Sequence, residues 1–347
     1  MLLVVGSAAA CGDSSSDAAS CDGESGQTPE VPELGGPDDP DGAGKKVGMV
    51  FDVGGVGDKG FNDSANVGLA AAAENMGVET EQLEPNQDGS NRGDLMRSLA
   101  EDDYDMIIGV GFAFAEDMDA IAADFPDIQF AIVDGVVEQP NVTGLVFAEE
   151  QGSYLVGAEA ALKSEAGKIG FVGGVNGELI QKFEAGFVAG AEAADEDVEI
   201  EVKYISPDGD FSGFDDPAKG KTIAAGLYEN GADVVYHASG KSGIGVFQAA
   251  VEADRLAIGV DQNQYLGANA EQQECILTSM LKRVDIAVYD AVKAFVDGSL
   301  EGGVAVGDLS TGGIDYATDG GQFVEQDQID DYKQQIIDGE IEVPTTP

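Results

Sequence analysis

The chain repeats one sequence unit. The segment KVGMVFDVGG at residues 46–55 is followed 122 residues later by KIGFVGGVNG at residues 168–177. Each copy reads Lys, a β-branched residue, Gly, an apolar residue and Val, and a glycine turn then precedes a helix-like stretch. A strand-turn-helix unit that begins twice predicts two similar α/β lobes, with a small-molecule site in the cleft between them.

Both halves alternate short apolar runs with alanine-rich helical periods, which predicts a doubly wound parallel sheet with right-handed crossovers in each lobe. We expect lobe 1 to comprise residues 45–150 plus about 283–300, and lobe 2 to comprise residues 151–282 plus about 303–340. Residues 341–347 would be a tail, and the C-terminal elements would cross between the lobes as a multi-stranded hinge. Ligands bind such sheets outside the carboxyl ends of the strands.

The charge is extreme. The chain has 66 acidic and 17 basic residues, for a net charge of -49. Only nine of the acids lie in residues 12–44, so the folded part is itself acidic. Concentrated salt shortens the Debye length to about 3 Å and makes such a surface tolerable, which indicates an extracytoplasmic protein of a halophile. The same charge argues against a nucleic-acid partner.

The N-terminal region reads as an anchor and a spacer. Residues 2–10 are apolar and then small, and they end at Cys11, which resembles the lipidated cysteine of a lipoprotein signal peptide. We interpret residues 1–10 as a truncated signal and residues 11–44 as a lipid-anchored, acidic, disordered linker. The alternative is an ordinary N-terminus with a chance cysteine. Three cysteines do not predict a disulfide framework, and Cys275 reads as a small buried residue in a strand.

The glycine loop from Gly55 to Gly60 has two interpretations. It is a literal GxGxxG between a strand and a helix, which is the dinucleotide fingerprint of an NAD-dependent oxidoreductase. However, Asp52 and Asp58 would face the pyrophosphate. The lone His237 has no nucleophile or second base beside it, so we treat it as lining of the cleft and predict no enzyme, cofactor or metal site.

The loop continues as DVGGVGDKGFNDSA and resembles the start of the basic membrane protein family, the purine nucleoside-binding lipoproteins of ABC importers. Six further segments follow in the same order over roughly 250 residues: IIGVGFAF, FAIVDG, FDDPAKGK, GIGVFQAA, AIGVD and LTSMLKRVD. The resemblance implies the type I periplasmic-binding-protein fold, a nucleoside held between two lobes, and delivery to the permease and ATPase subunits of a transporter. We also expect a monomer that is lipid-anchored on the extracellular face of the membrane.

The resemblance assigns eight residues. Phe61 and Phe214 would stack on a purine. The base edge would be bound by Asn62 and Asp134 with Asp52 nearby, and the ribose by Asp261, Lys282 and the backbone at Gly240. Simpler interpretations stay open: the phenylalanines as core residues, the two strand-end aspartates as helix caps, and Lys282 as a surface lysine. Phe211 could replace Phe214, and the ligand could be a sugar or an autoinducer.

Overall fold

The computed structural model describes residues 18–28 and 34–347. Each lobe contains one six-stranded sheet. The strands of the first sheet are β1 (Lys46–Val50), β2 (Glu79–Leu83), β3 (Met106–Val110), β4 (Gln129–Val133), β5 (Val142–Phe147) and β11 (Gly303–Gly307). Those of the second are β6 (Lys168–Asn176), β7 (Glu199–Pro207), β8 (Val234–Ala238), β9 (Leu256–Asp261), β10 (Ile276–Lys282) and β12 (Ile314–Tyr316).

The helices are α1 (Phe61–Met76), α2 (Arg92–Glu101), α3 (Ala115–Asp124), α4 (Glu149–Lys163), α5 (Glu178–Ala194), α6 (Pro217–Glu229), α7 (Gly243–Ala253), α8 (Gln264–Gly267), α9 (Ala270–Gln273), α10 (Val284–Asp297) and α11 (Gln326–Ile337). They alternate with the strands as predicted, except for α8 and α9, two short helices between β9 and β10 that the sequence did not predict. Gly77 and Gly298 end α1 and α10 in the left-handed conformation, as is common at helix C-termini.

The two sheets have the same strand order. It is β2-β1-β3-β4-β5-β11 in the first and β7-β6-β8-β9-β10-β12 in the second. Every pair is parallel except β10 with β12, which is antiparallel. The central strands are fully buried and mostly apolar, as expected for strands covered on both faces. The prediction of two doubly wound α/β lobes is confirmed.

Within residues 45–347 the chain crosses between the lobes at three places: from β5 into α4, from β10 into α10, and from β11 into β12. Helix α4 packs on α5 of the second lobe, whereas α10 packs on α1 of the first. The predicted boundary at residue 303 is therefore wrong for one strand, because β11 pairs with β5 and extends the first sheet. Only β12 and α11 of the region 303–340 join the second lobe.

The N-terminal segment differs from the expected free linker. Residues 18–28 pack on the second lobe, where Cys21 forms a disulfide with Cys275 and the Ala19 amide donates to Asp233. Residues 34–44 pack on the first lobe, where Asp39 pairs with Lys293 at 2.8 Å. The interpretation of Cys275 as a plain apolar residue is thus also wrong. We call residues 18–28 and 34–44 the strap.

Two further expectations concern the termini. Ile341 and Val343, from the expected tail, pack partly buried against the core. Cys11 and residues 1–10 lie outside the described residues. No helix in the described part of the chain is long and apolar enough to cross a bilayer.

Candidate functional site

A cavity lies between the lobes at the carboxyl ends of the strands of both sheets. All eight residues assigned from the resemblance are on its walls: Asp52, Phe61, Asn62, Asp134, Phe214, Gly240, Asp261 and Lys282. Four of them come from the first lobe and four from the second. The turns that follow β1, β4, β8 and β9 position most of these residues, because parallel strands end at one edge of their sheet.

Aromatic rings line the cavity from both lobes. Phe61 begins α1 in the first lobe, and Phe214 ends a short 3-10 turn, Phe211–Phe214, in the second. Phe112 and Phe183 add two more rings to the wall. Phe211, the alternative stacking residue, is not on the wall and instead meets Phe112 edge-on, with ring centroids 5.6 Å apart. The geometry therefore favours Phe214 as the ring that faces the cavity.

Two aspartates occupy equivalent positions in the two lobes. Asp134 directly follows β4 and Asp261 ends β9, and both have left-handed backbones with φ of 62° and 67°. Non-glycine residues adopt this conformation rarely, and strained residues of this kind cluster at ligand sites. Neither side chain caps its following helix, so the capping interpretation does not account for them.

Lys282 is the centre of a buried ionic network. Its side chain is almost fully buried, so the surface-lysine interpretation is wrong. The ammonium is 2.5 Å from Asp134 Oδ2 and 3.4 Å from Glu149 Oε1. It also lies 5.1 Å from the ring centroid of Phe61 and 5.5 Å from that of Phe183. Because Lys282 ends β10, it ties the second lobe to Asp134 of the first.

Burial and crowding shift the pKa values around this ammonium. Burial raises the pKa of Glu149 and of Asp261 to about 7, although Lys282 opposes the rise. Burial also raises the pKa of Asp52 to about 6, against the hydrogen bond from the Val53 amide and the charge of Arg92. Burial alone would lower the pKa of Lys282, but Asp134, Glu149 and Asp261 together raise it. The ammonium of Lys282 therefore stays charged while Glu149 and Asp261 titrate near neutral pH.

One carboxylate oxygen in the cavity has no partner. Asp134 Oδ2 meets Lys282, but Asp134 Oδ1 is buried and accepts no hydrogen bond in the described structure. Leaving a buried acceptor unpaired costs about 1 to 3 kcal/mol. A ligand that donates an N–H or O–H to this oxygen would recover that cost.

The glycine loop does not present a phosphate site. The Asp58 carboxylate accepts hydrogen bonds from the amides of Gly60, Asn62 and Asp63 at 2.8 to 3.2 Å. These are the N-terminal N–H groups of α1 that a dinucleotide pyrophosphate would need. The chain's own carboxylate therefore occupies the position where a phosphate would bind.

The lobes touch across the cleft. Gln264 Nε2 of the second lobe donates to the Lys59 carbonyl at 2.9 Å, and Lys59 Nζ donates to the Gly267 carbonyl at 2.8 Å. The cavity between the lobes measures about 60 Å³, which is room for about four water molecules. A ligand of several rings therefore needs the lobes to move apart before it can enter.

Comparison with known proteins agrees with this architecture. Residues 45–347 match the family model Bmp, described as ABC transporter substrate-binding protein PnrA-like. The chain belongs to the Bmp family. It is accordingly an ABC transporter substrate-binding protein, a class that works outside the cytoplasm and is not enzymatic. The resemblance found from the sequence is confirmed.

Individual relatives of this Bmp protein are similar over most of their length. The ABC transporter nucleoside-binding protein BmpA of Lactococcus lactis is 37% identical over 86% of this chain and 89% of its own. The CD4+ T-cell-stimulating antigen of Listeria monocytogenes is 36% identical over 87% and 88%. A crystal structure of ABC transporter solute-binding proteins from Aeropyrum pernix superposes with a TM-score of 0.76 at 28% identity, covering 87% of this chain and 93% of the other.

The sequence reasoning missed several residues of the site, among them Phe112 and Phe183 on the cavity wall and Glu149, whose carboxylate lies 3.4 Å from the Lys282 ammonium. Phe112 follows β3 in GFAF, a strand-end position like that of Asp134, so the rule of strand ends could have found it. Phe183 lies in the middle of α5 and Glu149 begins α4, and no local signal distinguishes either from a core or surface residue. The prediction that His237 lines the cleft is wrong. It is buried behind the cavity wall, with Nε2 3.0 Å from Gln264 Oε1.

Proposed function

We propose that this Bmp protein captures a purine nucleoside between its lobes and delivers it to the permease of an ABC importer. One observation carries the proposal: the cavity combines ring faces from both lobes with buried carboxylate acceptors beside one ammonium. A purine would stack between Phe61 and Phe214, and such stacking is worth about 1 to 3 kcal/mol per base. The relative named as a nucleoside-binding protein supports the same ligand class.

The polar groups suit the two ends of a nucleoside. Asn62, Asp134 and Asp52 would bind the N–H donors of the base edge, and the free Oδ1 of Asp134 is available for one of them. Asp261 and Lys282, with the backbone at Gly240, would bind the ribose hydroxyls. Hydrogen bonds to charged groups are the stronger ones, so this end would fix the sugar firmly.

The charge of the cavity selects against anions. Four aspartates line it, Asp52, Asp58, Asp134 and Asp261, with Lys282 as the single cationic side chain on the described wall. A nucleoside monophosphate would place two further negative charges among these carboxylates. We therefore expect the neutral nucleoside to bind and its monophosphate to be rejected.

Thermal unfolding with added ligands tests the proposal. Residues 18–347 would be unfolded in molar KCl with guanosine, inosine, adenosine, uridine, guanosine monophosphate, ribose and NAD added separately. A ligand at 100 times its dissociation constant stabilises by about 2.7 kcal/mol, which shifts the midpoint visibly. A shift with purine nucleosides alone supports the proposal. A shift with ribose or NAD alone, or an equal shift with the monophosphate, contradicts the roles given to Phe61, Asp134 and Asp261.

We also propose that Cys11 carries a lipid anchor on the extracellular face of the membrane, that the protein is a monomer, and that it requires concentrated salt. The disulfide between Cys21 and Cys275 supports an oxidising, extracytoplasmic location. The anchor predicts incorporation of labelled fatty acid that a Cys11→Ser variant loses. Sedimentation in molar KCl tests the monomer, and unfolding at decreasing KCl tests the salt requirement.

A further inference from the structure

Arg92 is a nearly buried charged residue that does not line the cavity. It begins α2 in the first lobe, and its side chain is only 12% exposed. Its Nε and Nη2 atoms are buried and have no hydrogen-bond partner in the described structure. Donors left unpaired in this way are costly, so the position calls for a compensating role.

The guanidinium is held between rings of both lobes. Its central carbon is 5.6 Å from the ring centroid of Phe114 in the first lobe and 5.3 Å from that of Phe211 in the second. Gly89 covers a further side, where an added Cβ would come within 2.1 Å of a guanidinium nitrogen. Guanidinium groups stack favourably on aromatic faces, and more so when water is excluded. The contact with Phe211 exists only when the lobes are together.

The same guanidinium faces the ligand cavity through Asp52. Arg92 Nη2 is 3.7 Å from Asp52 Oδ1, which is too long for a hydrogen bond but close enough for a strong charge interaction in a buried site. Asp52 is on the cavity wall, and its other charged neighbours are Asp58 and Asp134, both negative. Arg92 is therefore the cation that balances Asp52.

We propose that Arg92 is a positioning residue that couples lobe closure to ligand binding, because it joins the lobes through Phe211 and holds Asp52 as a charged acceptor on the cavity wall. When the lobes part, Arg92 loses the cover of Phe211 and water screens its charge from Asp52. Closure of the lobes, with or without a ligand, restores both, and a bound ligand favours the closed arrangement. The effect of Arg92 on ligand binding rests on the proposed function, which supplies the identity of the ligand. The contact of Arg92 with Phe211 between the lobes does not depend on it.

Calorimetric titration of guanosine tests the coupling, since the chain lacks tryptophan for a fluorescence assay. The variants are Arg92→Met, Arg92→Lys and the control Arg97→Met. Arg97 lies on the same helix, stacks on Phe125 at 5.8 Å and pairs with Asp124 at 2.8 Å, all within the first lobe. Each variant would first be checked for an unchanged circular dichroism spectrum.

We expect Arg92→Met to weaken guanosine binding at least about tenfold at neutral pH. The pH below which binding is lost should rise by about one unit or more, because Asp52 without its cation takes up a proton more readily. Arg92→Lys should restore that pH while binding stays weaker, because the charge returns without the planar stack. Other acidic groups lie at or beside the cavity, namely Asp58, Asp134, Glu149 and Asp261, but all of them are present in every variant. An Arg92→Met profile equal to that of Arg97→Met would overturn the proposal.

Hydrogen exchange in the ligand-free protein separates this inference from the proposed function. Loss of the contact between Arg92 and Phe211 should speed amide exchange in residues 211–216 severalfold in Arg92→Met and Phe211→Leu, but not in Arg97→Met. If the wild type binds no nucleoside, the proposed function fails, and this exchange result alone decides the role of Arg92. Equal exchange in all variants would then refute it.

Discussion

The disulfide between Cys21 and Cys275 should contribute a large part of the stability of this protein. It closes a loop of 254 residues, between the strap and the residue that precedes β10. The chain-entropy relation for a loop of that length gives roughly 19 cal/mol/K, or about 5.5 kcal/mol at 25 °C. Measured effects fall below this limit, so we expect the double variant Cys21→Ala/Cys275→Ala to lose about 3 to 5 kcal/mol.

Urea unfolding in molar KCl, followed by circular dichroism, measures this loss. The dependence of the unfolding free energy on urea should steepen in the double variant, because an unfolded chain without the cross-link exposes more surface. A reductant should reproduce the loss in the wild type and change nothing in the double variant. If the oxidised and reduced proteins unfold with free energies within about 0.5 kcal/mol, the strap is not held by this bond and the reasoning is wrong.

Three further predictions concern Glu159, Lys282 and Phe214. Burial raises the pKa of Glu159 to about 8. Between the ordinary pKa of a glutamate and this raised value, the folded protein keeps a proton that the unfolded chain has released. Burial of Glu159 therefore lowers the free energy of unfolding, and by more as the pH rises through this range. Glu159→Gln should therefore stabilise the protein by about 2 kcal/mol or more at pH 8 and by little at pH 5, whereas the exposed Glu229→Gln should do neither in the same urea titrations. Lys282→Met should lower the free energy of unfolding by about 3 to 5 kcal/mol at pH 8, and by less at pH 6, where Glu149 and Asp261 can take up protons. An equal loss at both pH values would contradict the ionic network around Lys282. Phe214→Ala should weaken guanosine binding by about 1 to 3 kcal/mol in calorimetry, and Phe211→Ala should do so less; the reverse order would exchange their roles.

The predicted alternation of strands and helices in two lobes agrees with the structure, and the eight assigned residues all line one cavity. The reason is local: a buried strand needs a continuous apolar run, and the polar residue after it marks the edge where parallel strands end. Asp134 and Asp261 illustrate this, since each ends such a run. Phe112 lies just after β3, so the same rule could have predicted its position on the cavity wall.

The sequence by itself determined the two repeated lobes, the order of their elements and the segments that face the cleft, because these follow from short-range periodicity. Only the tertiary structure decided the pairing of β11 with the first sheet, the disulfide of Cys21 with Cys275, the entry of Glu149 and Phe183 into the site, and the contact of Arg92 with Phe211. Each of these joins residues that are distant in the chain. Which distant segments meet depends on how complete lobes pack, and no local pattern of residues encodes it.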